Sequence, residues 1–339
     1  MNKPFHTAVV IGRFQLPHIG HAHLFQQAAA IADNLVILVG SVGQPKTPKN
    51  PFSFRTRKKF LENILPDIHC DIFPLMDNRY NNDSWLVDVV NKVQSTMPRG
   101  WSDKPPKIAL VGHKKDTSSY YLDMFPQWKF VDIDNHEDMS STDLRENLYS
   151  GGFEDIVEHV NYNTGLELLE WRETDEYKNI VEEWEFIESY KSDWEKSPYP
   201  PTFVTVDAVV VQSGHVLMIQ RKRAPGKGLW ALPGGFVEQG ESLRESVLRE
   251  LEEETKIKLQ RIVLDRSITK IEVFDHPDRS SRGRTITHAF KFDLKPGELP
   301  RIKGGSDAEK AQWLPLNEVL MMGEKIYEDH LDIILDMIN

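Results

Sequence analysis

The chain has 339 residues, enough for two domains at the usual ~100–200 residues each, and 40% hydrophobic with 27% charged side chains is the balance of a globular protein. A formal charge of −11, from 52 acidic against 41 basic residues, argues against nucleic acid as the main partner but leaves room for small phosphates held locally. No run approaches the ~20 apolar residues of a membrane span, the start leads into a strand without a signal-peptide core, and one cysteine, Cys70, allows no intrachain disulfide, so the expectation is a cytoplasmic protein without membrane contact and with Cys70 buried.

In chain order, residues 7–11, 35–39, 107–111 and 128–133 are short and β-rich, alternating with helical stretches at 21–32 and 85–93. Strands separated by helices predict βαβ units around a buried parallel sheet, hence an α/β, Rossmann-like domain. Charge is then concentrated, because residues 151–200 hold 14 acidic against 4 basic side chains. Among them Tyr177, Ile180, Val181, Trp184, Ile187 and Trp194 keep a helical spacing, which predicts an acidic amphipathic helix over 175–196 with a packing stripe. Homo-oligomerisation through this helix is one expectation. Ser197-Pro198-Tyr199-Pro200-Pro201 favours neither helix nor sheet, so 197–202 reads as a stiff linker between domains 1–196 and 203–339. Beyond it, 203–212 and 215–221 flank Ser213-Gly214 as a hairpin, 241–255 reads as a helix and 285–292 as a strand.

Strand 7–11 runs into Gly12-Arg13-Phe14-Gln15-Leu16-Pro17-His18-Ile19-Gly20-His21, with a helix beginning near His21. Orphan N–H groups and the macrodipole at a helix N-terminus favour phosphate, so the two imidazoles join an anion site. Gly12 permits a close backbone turn under a ligand, and Gly20 lets the imidazoles converge. Taken alone, His-x-Gly-His reads equally as a structural pair. The whole string resembles the nucleotidyltransferase superfamily. Met139-Ser140-Ser141-Thr142-Asp143-Leu144-Arg145, at the start of a later helix, resembles that family's second signature. The resemblance implies that His18 and His21 are catalytic, binding ATP phosphates and stabilising charge as a phosphate nucleophile displaces pyrophosphate. Gly12, Arg13, Phe14, Ser141, Thr142 and Arg145 are then ATP-binding candidates, with Arg145 bracing the outer phosphates. An ordinary Ser/Thr helix cap is the structural alternative for the second string.

Asn50-Pro51-Phe52-Ser53-Phe54-Arg55 and Asn82-Asp83-Ser84-Trp85 resemble segments of the archaeal-type nicotinamide mononucleotide (NMN) adenylyltransferases. That resemblance implies that Trp85 stacks on nicotinamide, Asn82 reads its carboxamide, and Lys49 or Arg55 holds its phosphate. A flat ring suits a cationic pyridinium. By residue type, Trp85 reads equally as core, and Lys49 or Arg55 as surface charge. Residues 112–121 follow a predicted strand, at the carboxyl edge where α/β sheets bind ligands.

In the second domain Gly235, Glu241, Arg249, Glu250, Leu251, Glu253, Glu254 and Ile257 keep the spacing of the Nudix box, with Lys256 where that family has glycine. On a helix, Glu250, Glu253 and Glu254 share one face. Crowded carboxylates repel unless a hard cation sits among them, which suits Mg2+ or Mn2+ as a cofactor for pyrophosphate hydrolysis. Arg249 and Glu250 are the catalytic candidates, Arg249 by orienting a glutamate. A solvated acidic helix is the alternative. Lys256 predicts an altered helix exit with hydrolysis retained.

Residues 274–288 resemble the Arg-Gly segment of ADP-ribose-directed Nudix proteins, which implies diphosphate contacts from Arg279, Arg282 and Arg284; solvated loop arginines are the other reading. Glu309 and Asp307 are further candidates for a base or ligand. Domain order and length resemble the bifunctional NMN adenylyltransferase/Nudix hydrolase family of bacteria over essentially the whole chain. The resemblance implies a Rossmann-like nucleotidyltransferase domain followed by an α/β/α-sandwich Nudix domain. It further implies an enzyme that makes NAD and pyrophosphate from ATP and NMN and cleaves ADP-ribose to AMP and ribose 5-phosphate. Two alternatives stay open: a Nudix domain that senses ADP-ribose without hydrolysing it, and nicotinate mononucleotide or another small phosphate as acceptor.

Overall fold

The structure, a computed structural model, describes residues 3–97, 106–114, 121–134, 140–305 and 308–338. The chain forms two compact units, 1–181 and 182–339. Among the described residues no helix is long and apolar enough to cross a membrane.

The first unit contains β1 (Phe5–Gly12), α1 (Ile19–Ile31), β2 (Ala32–Val42), α2 (Phe54–Ile64), β3 (Cys70–Met76), α3 (Asn82–Ser95), β4 (Ile108–Gly112), β5 (Lys129–Asp132), α4 (Ser141–Ser150), α5 (Phe153–Val157) and α6 (Tyr162–Arg172). Its strands pair in parallel in the order β3-β2-β1-β4-β5. The chain therefore reverses direction of travel across the sheet between β1 and β4, the switch point outside which α/β sheets form a ligand crevice. Alternation along the central strands divides the core. Ala8, Val10, Leu35, Ile37 and Val39 pack on one face with Phe25, Ala28 and Leu61 of α1 and α2. Val9, Val36 and Leu38 face the other side with Val89 and Val93 of α3.

Several boundaries differ from the sequence expectation. Helix α1 starts at Ile19 with His18 as its N-cap, so His21 lies within the first turn, at its third residue, rather than at the start. Strand β3 was not among the predicted strands; it lies at the sheet edge and carries Pro74, which an edge tolerates because no neighbour needs its missing N–H. Cys70, expected to be buried, is half-buried at the start of that edge strand. The acidic helix α7 (Asp175–Ser192) ends four residues before the predicted 196, leaving Trp194 beyond it and 43% exposed. The division between the compact units falls inside α7, upstream of the proline-rich stretch.

The second unit continues from α7 through β6 (Phe203–Gln212), β7 (His215–Arg221), β8 (Trp230–Ala231), β9 (Gly234–Phe236), α8 (Leu243–Thr255), α9 (Arg261–Arg266), β10 (Ile268–Phe274), β11 (Thr285–Asp293), β12 (Ala308–Pro315), α10 (Leu316–Val319) and α11 (His330–Ile338). Its mixed sheet runs β10-β11-β6-β7-β12, with β8 on β7 and β9 on β6. Val206, Ala208 and Val210 of β6 meet Val247, Leu248 and Leu251 of α8, which fixes that helix beside the Gly234–Phe236 strand.

Candidate functional site

At the carboxyl end of β1 the chain turns sharply through Phe14, which adopts φ +50° and is buried. Its ring folds back over Gly12, where a Cβ would come within 2.7 Å of it, and meets His21 and Phe25 at 5.2 and 5.5 Å between centroids. The space above Gly12 is thus filled by Phe14, which serves as packing for the loop.

His18 and His21 form a reciprocal cap. His18 Nδ1 accepts from Gly20 N at 3.2 Å, His21 Nδ1 accepts from His18 N at 3.3 Å, and the rings lie 4.0 Å apart. Because both Nδ1 atoms accept, the neutral rings carry their protons on Nε2, as donors. Two oriented imidazoles at a helix start, on the sheet's carboxyl edge, form a positive end suited to phosphate.

The second string is drawn to the first. Ser141 Oγ donates to Leu16 O at 3.0 Å, and the buried Arg145 donates to Gln15 O and, at 3.2 Å, to Thr142 Oγ1. Burial pulls the Arg145 guanidinium down to about 10. Ser140, rather than Ser141 or Thr142, caps α4, in a box with Asp143. Ser141 and Arg145 therefore clamp the histidine loop, while Thr142 is exposed at the helix start and Arg13 is exposed on the loop.

Sequence reasoning missed Arg57. Only 1% exposed, it donates to Arg13 O and Gly40 O, both at 2.6 Å, and to Ser41 O at 3.3 Å. Burial pulls its guanidinium down to about 10, against the favourable charge of Asp77. Asp77 in turn accepts from Ser41 N and Oγ at 3.0 and 2.7 Å, holding Ser41 at φ +51°. One arginine and one aspartate thus brace the ends of β1, β2 and β3. Nothing local to Arg57 signals this, since its partners are backbone carbonyls.

Of the acceptor candidates, Lys49, Arg55 and Asn82 are exposed. Asn81, not Asn82, caps α3 by accepting from Ser84 N. Trp85 is half-buried against Tyr121 and Phe125 at 6.1 and 6.0 Å, and Tyr121 donates to Ile11 O near the end of β1 at 3.2 Å. Trp85 is thus both core packing and a neighbour of the sheet's carboxyl edge. Residues 115–120, Met139 and Asp307 lie outside the described residues.

In the second unit Ser242 caps α8 in a box with Glu245, and Lys256 ends it at φ +46°. The helix exit is left-handed, as the family's glycine would make it, so the altered exit expected from Lys256 is not found. Arg249 grips Glu241 with two bonds of 2.8 and 3.0 Å and donates to Glu250 Oε1 at 2.9 Å; it lies 3.5 Å from Glu253. Glu241 and then Glu250 raise its own basicity, and Arg249 holds Glu241 below the usual carboxylate range. Glu250 sits over the bare backbone of Gly235, where a Cβ would come within 2.6 Å of Oε1. Glu254 accepts from Gly234 N at 2.9 Å.

Among the described residues no three acidic or imidazole groups are gathered as a ready ion site, since Glu253 is exposed while Glu250 and Glu254 are turned to the glycine loop. The donor chemistry nevertheless fits a hard divalent cation. Burial pushes Glu250 up, and pushes Glu254 up to about 8, so the two carboxylates are crowded and short of positive charge.

The three arginines separate. Arg279 is buried in a two-bond pair with Asp329, 2.9 Å each, its charge held by Asp329 against the cost of burial. Arg284 is tied to Asp275. Arg282 lies 5.0 Å from the Phe236 ring centroid, and its Nε is buried without a hydrogen-bond partner. Glu309 is exposed on β12.

Residues 9–147 match the cytidylyltransferase-like family and residues 201–336 the NUDIX domain family. The chain is 30% identical over 184 residues to a nicotinamide/nicotinic acid mononucleotide adenylyltransferase of Acinetobacter baylyi, covering 53% of this chain and 94% of that protein. It is 39% identical over 131 residues to an ADP-ribose pyrophosphatase of Methanocaldococcus jannaschii, covering 38% of this chain and 72% of that protein. A crystal structure of a bifunctional NMN adenylyltransferase/ADP ribose pyrophosphatase from Francisella tularensis, complexed with AMP and Mn ion, is 35% identical. It covers 98% of both chains with a TM-score of 0.90.

Proposed function

This chain belongs to the family of bifunctional NMN adenylyltransferase/ADP-ribose pyrophosphatase proteins, and from that premise we propose that it catalyses both reactions, one in each unit. In the first unit the NMN phosphate attacks the α-phosphorus of ATP, the bond to the β-phosphate breaks, and NAD and pyrophosphate leave. The observation that carries this reading is the reciprocal histidine cap, in which both Nδ1 atoms accept from the backbone and fix the two imidazoles side by side at the start of α1. Donors held before the reaction stabilise charge that develops in the transition state. Arg13 and Thr142, at the start of α4, add to this anion site. Phe14, Ser141 and Arg145 hold the loop, with Arg145 anchored on Gln15 O. Trp85 stacks on the pyridine ring, Asn82 reads its amide, and Lys49 or Arg55 meets the mononucleotide phosphate.

In the second unit Glu250, Glu253 and Glu254 would hold a divalent cation, Mg2+ or Mn2+. When bound, it neutralises the pyrophosphate oxygens of ADP-ribose and acidifies water. Arg249 keeps Glu250 on the glycine loop, and Arg282 faces the diphosphate while Arg279 and Arg284 are held by Asp329 and Asp275. The products are AMP and ribose 5-phosphate.

Phosphorus NMR of the protein with Mg2+ and ADP-ribose, beside Glu250→Gln, tests the hydrolysis. AMP and ribose 5-phosphate from the wild type alone are expected; binding without turnover would replace hydrolysis by ADP-ribose sensing. Comparing NMN with nicotinate mononucleotide in the transfer assay fixes the acceptor, and equal rates would widen it to both.

A further inference from the structure

The matched NUDIX region begins at residue 201, yet the second compact unit begins at 182, within α7. The extra segment is wired into the arginine loop by two routes. In the first, Glu183 Oε2 accepts from Gly226 N at 3.0 Å. Gly226, at φ +75°, lies flat on the ring of Tyr327, where a Cβ would come within 2.3 Å of Cδ2. Tyr327 is buried, and the two residues after it hold the loop: Glu328 accepts from Ser281 N at 3.3 Å, and Asp329 holds Arg279.

The second route is aromatic. Tyr190 and Trp194 meet Phe203 at 5.8 and 5.3 Å between centroids. Phe203 meets Phe236 at 5.7 Å and leaves only 3.3 Å to a Cβ at Gly283. Arg282 lies between these routes, over Phe236 and without a hydrogen-bond acceptor for its buried Nε. A buried guanidinium N–H lacking an acceptor asks for one, and a diphosphate oxygen supplies it.

We propose that residues 182–194 are a working part of the hydrolase site, in which Glu183 and Tyr190 are positioning residues that set Arg282 for the diphosphate of a nucleoside diphosphate sugar. The inference rests on the ADP-ribose reading of this same unit. Glu183 acts through the carbonyl-like acceptor it offers Gly226 N, so its charge is dispensable. Burial in fact pushes its carboxyl up, with the Gly226 N–H pulling the other way.

The test uses the full chain with Glu183→Ala, Glu183→Gln, Tyr190→Leu and, as a control on the exposed side of the helix, Glu185→Gln. Loss of one such hydrogen bond should raise the KM for ADP-ribose about tenfold in Glu183→Ala, with kcat within about twofold. Glu183→Gln, which keeps an acceptor oxygen, and Glu185→Gln should behave as wild type; Tyr190→Leu should also raise KM. Adenylyl transfer by the first unit should be unchanged in all four. An unchanged KM in Glu183→Ala and Tyr190→Leu, or no rescue by Glu183→Gln, overturns the proposal. Should the wild type not turn over ADP-ribose, the hydrolase reading fails, and calorimetric Kd values for ADP-ribose with metal chelated decide the positioning role. Weaker binding in the Ala and Leu variants supports it, whereas equal Kd values, or no binding by the wild type, overturn it.

Discussion

His18 and His21 hold the start of one helix by accepting hydrogen bonds at Nδ1, His18 from Gly20 N and His21 from His18 N, which puts the proton of each neutral ring on Nε2. In the proposed reading the cap and the phosphate site are the same pair of rings. Asparagine is a good N-cap, but its NH2 lies short of the position of the imidazole Nε2. His18→Asn should therefore keep the thermal transition of the first unit while lowering kcat/KM for adenylyl transfer by about 10²–10³. A loss of less than about tenfold would take His18 out of the phosphate site.

Arg57 is the charged brace of the same loops, and its removal leaves three carbonyls without their donor. Arg57→Met should cost about 3 kcal/mol in urea unfolding. Arg57→Lys, which can reach only part of this set, should fall between. A cost below about 1 kcal/mol for the methionine variant would mean that water replaces the guanidinium.

Trp85 sits against Tyr121 and Phe125 with part of its surface open. Trp85→Ala should raise KM for the mononucleotide more than for ATP. Equal rises for both substrates would assign Trp85 to packing alone.

Arg249 serves Glu241 with a two-bond fork and Glu250 with a third donor, a geometry that lysine cannot reproduce. Arg249→Lys should lower ADP-ribose hydrolysis about 10–100-fold while adenylyl transfer stays at the wild-type rate. Hydrolysis undiminished in this variant would show that Glu250 keeps its place without the fork.

His330 should give the second unit a pH dependence. It accepts from Leu232 N at 2.9 Å, and its Nε2 lies 3.9 Å from Asp207 Oδ1. Burial lowers its pKa, outweighing the opposing pull of Asp207, Asp329 and Glu328, with Arg279 acting in the same sense as burial. The unfolded imidazole takes a proton as pH falls through about 6.5, and the folded one resists until lower pH. The stability of the neutral buried ring is thus present above that pH and is lost as pH falls toward the folded pKa. Between about pH 7.5 and 5.5 the Tm of the second unit should fall more in the wild type than in His330→Asn. Parallel curves would remove His330 as the cause.

Short-range chemistry is legible in the sequence. Alternating β-rich and helical runs specify the parallel sheet of the first unit, because a buried strand must be apolar on both faces. The spacing of Glu250, Glu253 and Glu254 puts them on one helix face whatever surrounds it, and the His18–His21 cap closes within four residues. Both candidate centres were therefore readable before any fold was known. Edge strand β3 was less legible, because Pro74 contradicts a strand unless no neighbour needs its N–H.

Which charges are buried, and what they hold, depends on long-range packing. Arg57 joins Arg13, Gly40 and Ser41 because the sheet order β3-β2-β1-β4-β5 brings those loop ends to one edge. Arg279 reads as a free loop arginine until Asp329, fifty residues on, is folded against it. Glu183 looks like one more glutamate on an acidic helix until Gly226 is seen to donate to it. Desolvation sets the role of each of these groups, and desolvation depends on neighbours that no local pattern names.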